Sequence, residues 1–273
     1  MLFLPIADDN PTRRTPFVTW TIMGLCVVVF LWQQSLAPVE QRAALYSFGV
    51  VPTVLFGNKT LPPELAVIPG WLTVVTSMFM HGGWLHLGGN LLYLWIFGNN
   101  VEDSMGHGRF IAFYLVCGTA AALAQSLPAP FSEIPMVGAS GAIAGVLGAY
   151  LILHPRANVR VFLWIIILIR IINVPAFIVL GGWFLMQFIS GANAPVDAGG
   201  VAFLAHMGGF VAGAALIPVF RSRGVPLWSG ARSRAFTVTR PRELRGAGSV
   251  PNVDLPPRHR EPPPPPRRRG PWG

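Results

Sequence analysis

Four polar residues in otherwise apolar stretches of the chain are able to do chemistry together. They are two histidines, an asparagine and a serine: His86, Asn90, Ser140 and His206. A serine hydroxyl is a weak nucleophile until a nearby base removes its proton, and imidazole is well suited to that task near neutral pH. Imidazole and carboxamide groups also donate hydrogen bonds to a carbonyl oxygen that becomes negative. This set of side chains is suited to attack on the carbonyl carbon of an amide bond.

Ser140 is the only hydroxyl in the small-residue stretch before Tyr150, GASGAIAGVLGAY (138–150). It lies at or near the start of an apolar helix, where unpaired backbone N–H groups and the helix dipole favour negative charge. Its own backbone N–H is therefore a candidate oxyanion donor. A lone serine in a membrane helix is more often a packing residue, so the assignment as nucleophile depends on what lies beside it.

Small residues recur every four positions around Ser140 and again in a later apolar stretch. The two stripes are Gly141, Gly145, Ala149 and Ala205, Gly209, Gly213. Such stripes allow two helices to approach backbone to backbone. If these two helices pack, His206 lies at the edge of the contact and reaches Ser140.

His86 and Asn90, in HLGGN, are four residues apart and therefore share one face of a helix. On that face they present an imidazole and a carboxamide to a developing oxyanion. His and Asn also form hydrogen bonds between helices of membrane bundles. The pair alone does not choose between the two roles.

No acidic residue lies in the middle of an apolar stretch. Glu133 and Asp197 fall just before such stretches, and sequence spacing does not place either beside His206. We therefore predict a Ser–His dyad rather than a triad. His81 and His86 are five residues apart with no glutamate between them, which does not match a zinc-binding H-E-x-x-H helix. We predict no metal ion at this site.

The segments that must position these side chains are strongly apolar. Of 273 residues, 52% are hydrophobic and 11% are charged, a balance typical of a polytopic membrane protein. Six runs are long enough, or nearly so, to cross roughly 30 Å of hydrocarbon; they are residues 17–34, 84–99, 110–127, 138–153, 174–190 and 201–220. We predict an all-α bundle of six transmembrane helices. The apolar run that precedes Val174, from residue 161, is expected to be an interfacial or tilted lead-in.

The net charge of +9 lies in the C-terminal tail, where residues 221–273 hold twelve arginines and three acidic residues. The rest of the chain is neutral, so we expect no nucleic-acid partner. The tail contains EPPPPPRRRG and is predicted to be disordered, held near anionic lipid head groups. Basic residues near the span ends place both termini in the cytoplasm. The predicted parts are a cytoplasmic segment (1–16), a membrane domain (17–220) and the tail. Nineteen arginines against one lysine indicate a GC-rich genome and hence a bacterial cytoplasmic membrane.

Three motifs occur in order in the second, fourth and sixth predicted spans: HGGWLHLGGN (81–90), GASGAIAG (138–145) and AHMGGFVAG (205–213). Together they closely resemble the rhomboid intramembrane serine proteases, and the likeness covers about residues 15–220. The resemblance implies a rhomboid-like fold, Ser140 as nucleophile and His206 as general base. It also implies an oxyanion hole from His86, Asn90 and the Ser140 N–H. By the same resemblance, the substrates are transmembrane helices of other proteins, cut near the bilayer surface without a cofactor.

Two positions depart from the family pattern, and two other functions remain open. Leu72 stands where an arginine is frequent after the tryptophan. Ala144 stands four residues after the serine, where some family members have a tyrosine that stacks on the catalytic histidine. Support for the ring of His206 is then expected from elsewhere. Trp183 and Phe184 are candidates for a lateral gate, and lipid-facing aromatic packing is the alternative. An inactive rhomboid-like protein that binds membrane helices is the second function, and a small transporter is the third. A transporter would carry paired charges or broken repeats in its spans.

Overall fold

The computed structural model describes residues 2–193, 202–231 and 233–238. It is mostly helical and includes a small antiparallel sheet. The helices are α1 (Phe17–Ser35), α2 (Pro38–Phe48), α3 (Pro52–Leu55), α4 (Thr73–Thr76), α5 (Trp84–Met105), α6 (His107–Ser126), α7 (Ser140–Leu153), α8 (Ala176–Asn193) and α9 (Phe203–Phe220). The strands are β1 (Leu2–Asp8), β2 (Asn158–Ile165) and β3 (Leu168–Pro175). Short 3₁₀ turns, Gly70–Leu72 and Ser77–Phe79, flank α4.

Each predicted span coincides with a helix, but the helices differ in length and composition. Among the described residues, α1, α6 and α9 are long and apolar enough to cross a membrane. Helix α7 has only 14 residues, and it begins at Ser140 rather than at the start of the apolar run. Helix α5 has 22 residues and includes several polar side chains. The short α7 is enclosed by protein, since most of its residues are buried.

The prediction of an all-α fold is wrong between α7 and α8, where the chain forms a β-hairpin. Residues 161–174, expected to be an interfacial lead-in, belong to β2 and β3, which pair from Asn158 with Pro175 to Ile165 with Leu168. The segment is rich in Val, Ile and aromatic residues, which favour strands. Strand β1 pairs with β2 from Leu2 with Trp164 to Asp8 with Val159. Hydropathy alone indicated an interfacial or tilted lead-in to the next span, because it does not distinguish an apolar strand from an apolar helix.

Helices α7 and α9 pack backbone to backbone, which confirms the prediction from the small-residue stripes. A methyl group on Gly209 would overlap the carbonyl oxygen of Gly141. One on Gly213 would overlap the carbonyl oxygen of Gly145. Only glycine allows these two backbones to approach so closely. The contact fixes the first turns of α7 and α9 side by side.

Two buried carboxylates tie the N-terminal elements to the helix bundle. Glu102 on α5 accepts hydrogen bonds from the backbone N–H groups of Val18 and Thr19, at 3.0 and 2.8 Å. These donors have no partner within α1, so the carboxylate caps that helix. Asp8 at the end of β1 accepts a hydrogen bond from the Tyr150 hydroxyl at 2.7 Å. Burial raises the pKa of Asp8 to about 7, although the Tyr150 hydrogen bond acts in the opposite direction.

The chain after α9 returns along the bundle. The backbone N–H groups of Trp228 and Ser229 donate to the carbonyls of Ile152 and Leu153, each at 2.9 Å. The backbone N–H of Asn173 donates to the Thr237 carbonyl at 3.0 Å. The first part of the predicted tail therefore contacts the end of α7 and strand β3. The prediction of disorder for residues 239–273 concerns a segment outside the described residues.

Candidate active site

Ser140 is the first residue of α7, and the loop before it is shaped by a glycine. Gly138 has a φ of +135°, a conformation that favours glycine. A Cβ at Gly138 would lie 2.8 Å from Cε1 and Nε2 of the His86 ring. The Gly138 N–H donates to the Ser77 carbonyl at 2.9 Å, which holds the loop in place. Glycine at this position therefore lets the imidazole of α5 approach the start of α7.

The close packing of α7 and α9 brings Ser140 and His206 into hydrogen-bond contact. The distance between Ser140 Oγ and His206 Nε2 is 2.7 Å. His206 lies in the first turn of α9 and is 9% exposed. Gln125 on α6 accepts a hydrogen bond from the Ala205 backbone N–H at 3.2 Å, which fixes this turn. The geometry suits proton transfer from the hydroxyl to the imidazole.

The other side of the His206 ring is held by two residues of α8. The Nδ1 atom of His206 lies 2.8 Å from Gln187 Oε1. The Trp183 ring lies against the imidazole, with 5.7 Å between ring centroids and 39° between ring planes. Ala144 therefore does not leave the ring unsupported, because α8 supplies contacts that a tyrosine at this position supplies in some family members.

His86 and Asn90 lie on one face of α5, as their spacing predicts. The Gly82 backbone N–H donates to His86 Nδ1 at 3.3 Å. With that nitrogen accepting, the proton of the neutral ring is on Nε2, the nitrogen that approaches Gly138. Asn90 is 8% exposed, and its Nδ2 is buried without a hydrogen-bond partner among the described residues. A buried donor without a partner is costly, and it is available to an oxygen that enters the site.

One cavity of about 890 Å³ contains all four of these side chains. Helices α5, α7, α8 and α9 and the segment between α6 and α7 form its walls. No Asp, Glu, Lys or Arg occurs among the described residues that line it. Glu133, one of the two acids near the predicted site, instead pairs with Lys59 in an exposed ion pair. Asp197, the other, lies outside the described residues.

Two residues at this site, Gln125 and Gln187, were not predicted from the sequence, and a third, Trp183, has contacts that were not predicted. Gln125 and Gln187 are polar side chains within apolar helices, and burial of such groups in a membrane is costly enough to mark a functional candidate. That signal is present in the sequence, although the prediction rested only on His, Asn and Ser. Trp183 was expected at a gate toward lipid, whereas its ring contacts His206 and Phe210. Only the tertiary structure shows what these side chains contact.

Comparison with known proteins identifies the family. The protein-family model of the Rhomboid domain matches residues 69–223 of this chain. Rhomboid protease GluP of Bacillus subtilis is 38% identical over 205 residues, which are 74% of this chain and 35% of that protein. Rhomboid protein 1, mitochondrial, of Saccharomyces cerevisiae is 27% identical over 239 residues, which are 85% of this chain and 58% of that protein. Rhomboid-like protein 11, chloroplastic, of Arabidopsis thaliana is 36% identical over 100 residues, 37% of this chain and 35% of that protein.

The apolar helices are those of a membrane protein, and the site within them holds a serine in contact with a histidine. The chain belongs to the rhomboid family and is an integral membrane protein. It spans between about a third and three fifths of the length of the relatives described above. Those relatives come from a bacterium, a mitochondrion and a chloroplast, so they do not fix the membrane in which this chain resides.

Proposed function

We propose that this protein is an intramembrane serine endopeptidase that hydrolyses peptide bonds in or near transmembrane helices of other membrane proteins. The observation that carries the proposal is the 2.7 Å contact between Ser140 Oγ and His206 Nε2 inside a cavity. The membership in the rhomboid family and the similarity to a bacterial rhomboid protease support the same chemistry.

In this mechanism His206 Nε2 takes the proton of Ser140 as Oγ attacks the peptide carbonyl carbon. The carbonyl π electrons move to oxygen, and three donors stabilise the resulting anion: His86 Nε2–H, Asn90 Nδ2–H and the Ser140 backbone N–H. The C–N bond then breaks, and the leaving amine takes the proton from His206. Water repeats the sequence on the acyl-enzyme and releases the second product.

The substrate must reach the cavity in an extended form. A peptide bond within a helix is hydrogen-bonded and covered by its neighbours, so local unwinding precedes attack. Gly or Pro near the cleavage site lowers the free energy of that unwinding. Substrates with such residues close to the bilayer surface are therefore expected to be cut fastest.

The membrane arrangement that fits this function has six crossings, formed by α1, α5, α6, α7, α8 and α9. With basic residues marking the cytoplasmic ends, both termini are cytoplasmic and the protease domain covers residues 17–220. The preference for arginine favours a bacterial cytoplasmic membrane. The arginine-rich tail would then lie beside anionic lipid head groups. Reporter fusions at each terminus and in the 57–69 loop test this topology.

Cleavage of a model transmembrane substrate by purified protein in liposomes tests the proposal. Ser140→Ala and His206→Ala should each abolish cleavage. Both variants should remain folded, as shown by a thermal transition like that of the wild type. Asn90→Ala should lower kcat by about 10²-fold or more. Ser35→Ala is the matched control, because its hydroxyl bonds only within the exposed end of α1. Binding of substrate by a wild type that never cleaves it would instead favour the helix-binding alternative.

A further inference from the structure

We propose that Gln187 is a positioning residue that fixes the tautomer of His206 and thereby takes the place of the acid in a Ser–His–acid triad. This inference deepens the proposed function and rests on it. The contact that carries it is the 2.8 Å distance between Gln187 Oε1 and His206 Nδ1. It lies on the opposite edge of the imidazole from the 2.7 Å contact with Ser140.

The chemistry of the dyad requires one particular tautomer of the imidazole. To accept the proton of Ser140, His206 Nε2 must carry a lone pair, so the single proton of the neutral ring must be on Nδ1. An oxygen beside Nδ1 favours that tautomer because it accepts the Nδ1–H. The Gln187 side-chain oxygen lies within hydrogen-bond distance of Nδ1. It carries no proton, so it can only accept the Nδ1–H.

The described part of the site offers no carboxylate for this role. The described residues that line the cavity include no Asp or Glu. The one titratable group that His206 faces there is His86 on α5, and its polar contacts are the hydroxyl of Ser140 on α7 and the amide of Gln187. Glu133 is exposed and paired with Lys59.

A neutral amide also suits the surroundings of His206 better than an unpaired carboxylate. A buried charge without a cationic partner is strongly unfavourable, whereas an amide accepts the same hydrogen bond at a lower desolvation cost. Trp183 and Gln187 are four residues apart on α8 and share one face. The first contacts the ring, with the two ring planes tilted by 39°, and the second contacts its Nδ1 edge. Helix α8 therefore sets both the orientation and the tautomer of the imidazole.

During catalysis Gln187 exchanges no proton with the ring. When Ser140 Oγ forms its bond to the carbonyl carbon, the hydroxyl proton moves to His206 Nε2 and the ring becomes an imidazolium. The Nδ1–H stays in place and donates to Gln187 Oε1 throughout. A hydrogen bond from a charged donor is stronger than one from a neutral donor, so this contact stabilises the state in which the proton has moved.

The test compares Gln187→Met, which keeps the length of the side chain but removes the acceptor, with Gln187→Glu, which retains an acceptor. Gln187→Met should lower kcat by about 10- to 100-fold with KM unchanged, since hydrogen bonds to charged groups are worth about 1.5–3 kcal/mol. Gln187→Glu should retain most of kcat at alkaline pH. On acidification, the Gln187→Glu variant should lose activity at a higher pH than the wild type does. The reason is that a carboxylate stabilises the imidazolium, so His206 becomes protonated at a higher pH. Gln34→Met repeats the first substitution at an exposed position of α1 and should leave both constants unchanged.

A readout independent of activity separates this inference from the proposed function. In ¹⁵N-histidine NMR, with His206→Ala to assign the resonance, the wild type should show a protonated Nδ1 and an unprotonated Nε2 on His206. Gln187→Met should show both tautomers, at an unchanged thermal transition. If the wild type cleaves nothing yet shows the Nδ1–H tautomer and loses it in Gln187→Met, the proposed function fails and the role of Gln187 holds.

Two results would overturn the inference. One is full kcat and an unchanged His206 resonance in Gln187→Met. The other is loss of kcat in Asp197→Asn with none in Gln187→Met, which would assign the role to the acid outside the described residues.

Discussion

The packing of α7 against α9 is the feature on which the contact between Ser140 and His206 depends most directly, and Gly213→Ala tests it. Gly213 lies seven residues after His206, about 10 Å further along α9. It does not line the cavity, so its replacement alters no side chain of the cavity wall. The added methyl group would overlap the carbonyl oxygen of Gly145 on α7. Because backbone atoms cannot rotate away, the helices themselves must separate.

The size of the effect follows from this overlap. Relief requires a separation on the order of 1 Å, and a misplacement of that size costs about 10²-fold in rate when it reaches the reacting groups. Part of the displacement is absorbed along the two turns before His206, so we expect kcat to fall between about 10- and 100-fold. Overpacking should also lower the free energy of unfolding by about 1–3 kcal/mol. Gly209→Ala, which meets Gly141 one turn from the dyad, should have the larger effect on rate.

The assay is the initial rate of cleavage of a model transmembrane substrate in liposomes, normalised to folded protein, with the thermal transition measured on the same samples. Gly24→Ala on α1 is the matched control, because a Cβ at that position meets no described atom within 4 Å. It should match the wild type in rate, with a stability equal to that of the wild type or up to about 1 kcal/mol higher, because alanine is the better helix former. Wild-type kcat and an unshifted thermal transition in Gly213→Ala would refute the view that direct backbone contact positions the dyad.

Three other perturbations have defined outcomes. Because burial raises the pKa of Asp8 in the folded state to about 7 from 3.8, the folded state binds the extra proton, so the contribution of Asp8 to stability in detergent should be fully present below pH 4 and decrease as pH rises to 7. Asp8→Asn should remove that decrease, as measured by thermal unfolding at a series of pH values. An equal dependence of stability on pH in the two proteins would contradict this prediction. Glu102→Ala leaves the capped N–H groups of α1 without a partner and should lower the free energy of unfolding by about 3 kcal/mol; an unchanged thermal transition would show that α1 needs no cap. Phe184 stacks on Phe210 of α9 with 4.5 Å between ring centroids, so Phe184→Ala should loosen α8 from α9. If α8 obstructs the entry of substrate into the cavity, kcat/KM should rise about two- to tenfold. Trp183→Ala should instead lower kcat, because that ring contacts His206. Equal cleavage by all three proteins would exclude both roles.

The helical part of the fold was predictable because hydropathy and small-residue spacing are local properties of the chain. Each predicted span falls on a helix, and the stripes at Gly141 and Gly209 predicted the contact that the structure shows. The β-hairpin at residues 158–175 was not predicted. Its partner strand β1 lies more than a hundred residues away, and strand formation there depends on that pairing as much as on local composition.

The residues proposed for catalysis were all found from residue type and spacing in the sequence. Ser140 and His206 stand out because polar side chains are rare in apolar spans, and His86 and Asn90 because a spacing of four places them on one helix face. How the imidazole is held was decided only by the tertiary structure. Gln187 and Trp183 meet His206 because α8 packs beside α9. No pattern along the chain specifies that contact, since it depends on how two helices are rotated against each other.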